Sequence, residues 1–213
     1  MNRINYHKET LKILDGLDGK RTPSLILHSC CAPCSSYPIE WLSNFFDIYI
    51  DFYNPNLDSS YEYERRLNEV IRIKNSFGEL SGNKVELLYS GYNAEDFDKI
   101  AKIRALTKEG DFPCMECYAL RLHHSVELAQ KYNIDYFTTS LSISPMKNSA
   151  VLNEIGLKLS NETGVKYLMS DFKKNDGYKR SIELSEKYEL YRQDYCGCSF
   201  SKRERNERCH ENI

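Results

Sequence analysis

Two patterns predict an α/β protein with a parallel sheet and helices on both faces. Short apolar runs alternate with amphipathic helical stretches, and each chemically unusual stretch falls just after such a run. The first run is residues 25–30, which ends in Cys30-Cys31. Pro38 suits the first turn of the helix expected next. A second run, 46–53, leads into "FYNPN" with Asn54 and Asn56. The following "YEYERRLNEVIRIKNSF" places Tyr63, Leu67, Val70, Ile71 and Phe77 on one helical face. Run 85–89 precedes "FPCMECYALRLHH", where Pro113 marks a helix start and Tyr118, Leu122, Val126 and Ala129 form an apolar stripe. Run 136–141 sits within "FTTSLSISPMKN", and Val151, Leu152, Ile155 and Leu159 form the next helical face, closed by Gly164. Run 167–172 is followed by two lysines. Parallel sheets bind ligands at the carboxyl ends of their strands, so all these stretches are expected to share one rim.

A chain of 213 residues supports one core, read as a single catalytic domain over 1–213. Residues 1–22 form an amphipathic N-terminal extension and 202–213 a charged tail. The net charge of −2 excludes a polycation, so a nucleic-acid partner requires a local basic patch. No run has the length of a membrane span, and the N-terminus lacks the apolar segment of a secretory signal. The expected location is cytoplasmic, where thiols stay reduced.

Eight cysteines there point to metal or redox chemistry rather than disulfides. Seven fall in three groups: Cys30, Cys31 and Cys34; Cys114 and Cys117; Cys196 and Cys198. Cys209, alone in the tail, is read as a bystander. Cys114 and Cys117 share one helical face, with Arg121 on nearly the same face. The two later pairs together offer the four ligands of a zinc site. An iron–sulfur cluster also takes four cysteines, which can come from distant segments. Seven thiols exceed either demand and suit a cluster beside a second metal, or beside redox-active thiols. Spacing alone does not choose among these.

"LHSCCAPCSSYP", "FYNPN" with "EYERR", "CMECYALRL", "FTTSLSISPMKN", "DFKKNDGYKRSIELS" and "YRQDYCGCSFS" resemble, in order, the motifs of the cobalamin-independent epoxyqueuosine reductases, the QueH family. The resemblance covers about residues 25–201. It implies a Rossmann-like fold akin to the adenine-nucleotide hydrolases (HUP type). It also implies the last step of queuosine biosynthesis: the epoxide of epoxyqueuosine, at the wobble position of a tRNA with a GUN anticodon, is reduced to the alkene. The implied cofactors are a [4Fe–4S] cluster and a second, mononuclear metal, iron, with ligands among the seven grouped cysteines. Family members often carry Asp where this chain has Cys34; either residue can ligate iron.

Epoxide deoxygenation needs electrons that no side chain supplies, hence a redox cofactor and an external electron donor. It also needs a proton donor, for which Asp171, Tyr53 and Tyr195 are candidates by rim position. Asn54, Asn56, Arg65, Arg121, Lys147, Lys173, Lys174, Arg192 and Gln193 are the candidate substrate contacts, the cations for phosphate. The competing expectations are a redox-sensing iron–sulfur regulator and a structural-zinc RNA-binding protein. Neither turns over a substrate.

Overall fold

The computed structural model describes residues 4–78 and 82–210; residues 1–3 of the N-terminal extension and 211–213 of the tail lie outside the described residues. The elements run α1 (Tyr6–Asp15), β1 (Ser24–His28), α2 (Ala32–Leu42), β2 (Asp47–Asp51), α3 (Ser60–Gly78), β3 (Val85–Leu88), α4 (Asp98–Arg104), α5 (Phe112–Tyr132), β4 (Tyr136–Thr139), α6 (Ser149–Thr163), β5 (Lys166–Tyr167), α7 (Gly177–Lys187) and α8 (Ser199–His210). The sheet order is β3-β2-β1-β4-β5 and every pairing is parallel. The expected α/β fold with a parallel sheet is therefore the observed one. The chain steps outward from β1 to β3, then returns to the other side of β1. The order reverses between β1 and β4, and the crevice above that point is where such folds bind ligands.

Side chains of β1 alternate between two cores. Leu25 and Leu27 join Ile48 and Ile50 of β2 beneath α2, α3 and α7, where Ile39, Leu42, Val70 and Leu184 pack. Ile26 joins Phe137 of β4 beneath α5 and α6, against Leu122, Val126, Ala129 and Leu159. The stripe expected on α5 is thus buried. α1 closes the first core with Leu14, and its Thr10 Oγ1 donates to the Met169 carbonyl at 2.7 Å.

Four local expectations change. β1 ends at His28, so Cys30 lies beyond it; Ser29 N–H donates to the Asp51 carbonyl as the last rung. The fifth strand is shorter and lies earlier than 167–172. Beyond Leu168 the Asn153 side chain replaces the neighbouring strand, accepting from Ser170 N–H at 2.9 Å and donating to the Ser170 carbonyl at 2.8 Å. Pro33, not Pro38, occupies the first turn of α2, because the helix starts directly after Cys31. Pro38 sits inside the helix, and its missing N–H leaves the Cys34 carbonyl without its usual partner. On α3 the buried face is Glu62, Tyr63, Arg66, Val70, Ile73 and Phe77; Leu67 and Ile71 are half-buried. Gly164 ends α6 with φ 77°, as expected of a left-handed stop. Among the described residues, no helix is long and apolar enough to cross a membrane.

Candidate metal centre

The three thiol groups come together at the strand-reversal rim, in two sets with different spacing. Cys30, Cys31 and Cys34 have their sulfurs within 4.8 Å of one another, and Cys30 and Cys31 are 3.7 Å apart. A single tetrahedral ion with metal–sulfur bonds of about 2.3 Å separates its thiolates by about 3.8 Å, so this trio fits one ion. Cys31 caps the N-terminus of α2 in an extended conformation, where the helix dipole favours thiolate. Burial opposes ionisation of Cys31, but hydrogen bonds from Cys30 and Cys34 and the Arg66 guanidinium outweigh it and hold its pKa well below the ordinary value. The hydrogen bond to Cys31 pushes Cys30 up to about 11.

Cys114, Cys117, Cys196 and Cys198 line one narrow cavity with Asn56, Arg104, Tyr118 and Arg121. No three of these four sulfurs approach within 4.8 Å, since the first trio is the only such group among the described residues. Four thiols around one space, too spread for a lone ion, match a polynuclear centre. The electrostatics agree. Arg121 is 1% exposed and has no carboxylate partner among the described residues. Its Nε donates to the Cys117 carbonyl at 3.1 Å, and its Nη2 has no hydrogen-bond partner. The Asn56 Oδ1 is likewise unpaired. A buried guanidinium requires an anion. The four thiols that line the cavity with it would supply that anion if they bound metal and lost their protons.

Local backbone makes the late pair possible. Gly197 has φ 128°, and a Cβ there would meet Leu57 Cδ2 at 2.5 Å and Arg66 Nη1 at 3.1 Å. Only glycine lets Cys196 and Cys198 flank that turn. Arg66 holds the same turn: it is 1% exposed, pairs with Glu62 at 2.7 Å and reaches the Cys196 carbonyl at 3.3 Å.

A second cavity of ≈ 220 Å³ opens beside the trio, lined by Cys30, Cys34, Met146, Tyr178, Arg192, Gln193 and Tyr195 among others. Cys196 and Glu109 line both cavities and so form the partition between them. Lys147 lies at this partition, with Nζ 3.0 Å from both Cys196 Sγ and Glu109 Oε1. Those neighbours raise its pKa well above the ordinary value, against the effect of burial.

The remaining candidates are distributed around this site. Tyr195 lines the larger cavity; burial raises its pKa, and its hydroxyl donates to Asp58 at 3.4 Å. Asn54 is buried and donates to the Ser29 carbonyl at 2.8 Å, bracing the trio's loop. Asp171 and Lys173 form a 3.0 Å ion pair, and with Lys174 they line an adjoining cavity near Ser149 and Asn148 that contains no thiol. Tyr53 stands apart: it stacks on His124 with ring centroids 4.0 Å apart and donates to Asp96 at 2.8 Å. Arg65 is exposed and lies 3.3 Å over the Tyr191 ring. Sequence reasoning missed Glu109, Glu62 and Arg104 at the site. Arg104 is 1% exposed and pairs with Glu204 of α8 at 2.8 Å. The Glu62/Arg66 spacing of four residues, in register with Val70 and Phe77, was the available signal for the buried pair. Cys209 is exposed and joins neither thiol set.

A doubly wound α/β fold whose reversal rim gathers seven thiols and buried cations beside a cavity defines a protein with thiol groups that could hold metal. Comparison with known proteins is specific. The family model described as epoxyqueuosine reductase QueH matches residues 25–204. The chain is similar to the epoxyqueuosine reductase QueH of Staphylococcus epidermidis, at 42% identity over 203 residues, 93% of this chain and 85% of the relative. Its identity to that of Streptococcus pyogenes is 40% (84% and 70% covered), and to that of Thermotoga maritima 32% (87% and 93% covered). The chain belongs to the epoxyqueuosine reductase QueH family.

Proposed function

We propose that this chain is the oxidoreductase that converts epoxyqueuosine to queuosine at the wobble position of tRNA with a GUN anticodon, the last step of queuosine biosynthesis. One observation carries the reading. Two thiol sets of different spacing meet at a shared wall, Cys196 and Glu109, beside a cavity large enough for a modified base. In this reading Cys114, Cys117, Cys196 and Cys198 hold a [4Fe–4S] cluster, and Cys30, Cys31 and Cys34 hold a mononuclear iron. When bound, these groups supply single electrons and a Lewis-acidic position at the cavity floor.

The protein's own groups bind, orient and protonate. Leu141, Ile143, Pro145 and Met146 wall the cavity and exclude water. Arg192 and Gln193 stand where they can hydrogen-bond the cyclopentane hydroxyls or ribose. Lys147 Nζ holds a proton at the partition, and Tyr195 stays protonated at the cavity edge. Of the three proton-donor candidates, the position of Tyr195 supports it over Tyr53 and Asp171, which line other spaces. The reaction consumes one epoxide, two electrons from an external donor and two protons, and yields the alkene and water. The wobble base must leave the anticodon stack to enter, as single-stranded RNA bases commonly do. Lys173 and Lys174 adjoin the cavity mouth and suit the flanking phosphates. A tRNA substrate and reduced thiols together imply a cytoplasmic location.

The test is anaerobic incubation of iron–sulfide-reconstituted protein with epoxyqueuosine-containing tRNA and dithionite, followed by nucleoside analysis. Queuosine is expected. Its absence from protein with full iron and sulfide content overturns the assignment.

A further inference from the structure

We infer that α4, with the segment joining it to α5, forms a docking surface for an acidic one-electron carrier protein, which charges the four-thiol centre; this rests on the cluster assignment above. Residues 99–108, "KIAKIRALTK", carry four cations; of the acids that flank them, Asp98, Glu109 and Asp111, Glu109 turns inward to Lys147 and Asp111 accepts from the Lys108 N–H. Arg104 turns inward to Glu204. Lys99, Lys102 and Lys108 are exposed, and their side chains make no ion pair or hydrogen bond among the described residues. Between them stand bare apolar groups: Ile103 is 49% exposed, Leu106 87% and Phe112 61%. Exposed apolar side chains interspersed in the chain with lysines that lack partners among the described residues fit a protein surface of opposite charge. A phosphate backbone would use the lysines and leave Leu106 and Phe112 without partners.

The position fits that role. Phe97, Arg104, Pro113 and Cys114 line the four-thiol cavity but not the substrate cavity, so this wall is distinct from the one that would receive the base. Cover is thinnest here. Cys117 and Cys198 are buried, whereas Cys114 and Cys196 are half-buried; Cys196 opens onto the substrate cavity, and Cys114, on this side, accepts at 3.4 Å from the N–H of exposed Gly110. Electron transfer weakens steeply with distance, so the electron enters beside Cys114. Each docking would pass one electron from the carrier to the centre that Cys114, Cys117, Cys196 and Cys198 would hold. Two dockings and two protons turn one epoxide into alkene and water. Because the two walls differ, a spent carrier can exchange while the tRNA stays in place.

The experiment uses the full, anaerobically reconstituted chain and a reduced plant-type [2Fe–2S] ferredoxin, an acidic one-electron protein, as probe. Binding is followed by calorimetry and cluster reduction by stopped-flow absorbance. For the wild type, association and a reduction rate that falls with added salt are expected. K102E/K108E and L106S should each lose at least tenfold in ferredoxin affinity and in the reduction rate. Reduction by dithionite, queuosine formed with dithionite, and tRNA affinity in gel shift should be unchanged. The inference is overturned if the wild type fails to bind the ferredoxin, or if the variants bind it normally. It is also overturned if they lose tRNA affinity instead, which would assign the surface to RNA. Failure of the reductase reading has a separate signature: no queuosine with dithionite despite intact cluster.

Discussion

Replacing Arg121 by Met should stabilise the metal-free protein and weaken its hold on metal. The guanidinium is 1% exposed, without a carboxylate partner among the described residues, and with one nitrogen unbonded. Burying an ion that is not well paired costs several kcal/mol. The hydrogen bond to the Cys117 carbonyl recovers roughly 2 kcal/mol, and the Tyr118 ring, 5.7 Å away, roughly 1 kcal/mol. The uncompensated remainder is about 2 kcal/mol. Methionine has similar reach and no charge, so metal-free R121M should melt about 4–8 °C higher than wild type for a chain of this size. With metal bound the sign reverses, because the cation then faces thiolates and its loss removes their counter-charge. The assay is thermal melting of metal-free protein under reductant, paired with iron and sulfide content after dialysis against a chelator. A metal-free R121M that melts several degrees lower, with iron retained as in wild type, would show that Arg121 is satisfied by the protein itself and would refute the reasoning.

Three further expectations concern the same rim. C34S should lower iron by about one atom per chain and leave sulfide intact, C34D should restore that atom, and C114S or C117S should remove most iron and sulfide together; elemental analysis separates these, and equal losses from C34S and C114S would contradict two distinct thiol sets. G197A should lower stability by roughly 1–3 kcal/mol from backbone strain and reduce iron loading, measured by urea denaturation and iron content. His124 lies 3.1 Å from the buried Asp51 carboxylate, whose hydrogen bond and charge outweigh burial and raise the imidazole pKa. A base with a raised folded-state pKa contributes stability that is complete below its unfolded pKa of about 6.5 and is lost as pH rises through the folded value. Urea denaturation from pH 6 upward should therefore show a decline in the wild type that H124N lacks, and parallel profiles would rule out this coupling.

The rim was legible because strand ends can be read from apolar runs, and the carboxyl-end rule then gathers the loops. That reasoning brings Cys31, Cys117 and Cys196 together from runs far apart in the chain. What it cannot supply is direction. Tyr53 and Asn54 are neighbours just past β2, yet Asn54 braces the cysteine loop while Tyr53 turns to His124 on α5. Asp171 lies near the end of the fifth run, but the strand stops earlier, Asn153 bonds the Ser170 backbone in its place, and the carboxylate lines the next cavity. Buried charges were harder still. Apart from the four-residue spacing of Glu62 and Arg66, nothing in the sequence marks Glu62, Arg66 and Arg104 as buried, because polarity normally marks exposure. Their burial becomes intelligible only once the thiols are in place. The two spacings of the thiol sets are likewise a tertiary fact.

The thiols of the rim are separated in the chain by 80 residues from Cys34 to Cys114 and 79 from Cys117 to Cys196. No fragment with correct helices but a slipped strand can bring all three stretches together. The brown colour of an iron–sulfur preparation would therefore serve as a built-in gauge of long-range folding. A pale sample with full helical signal would reveal misassembly that circular dichroism alone would overlook.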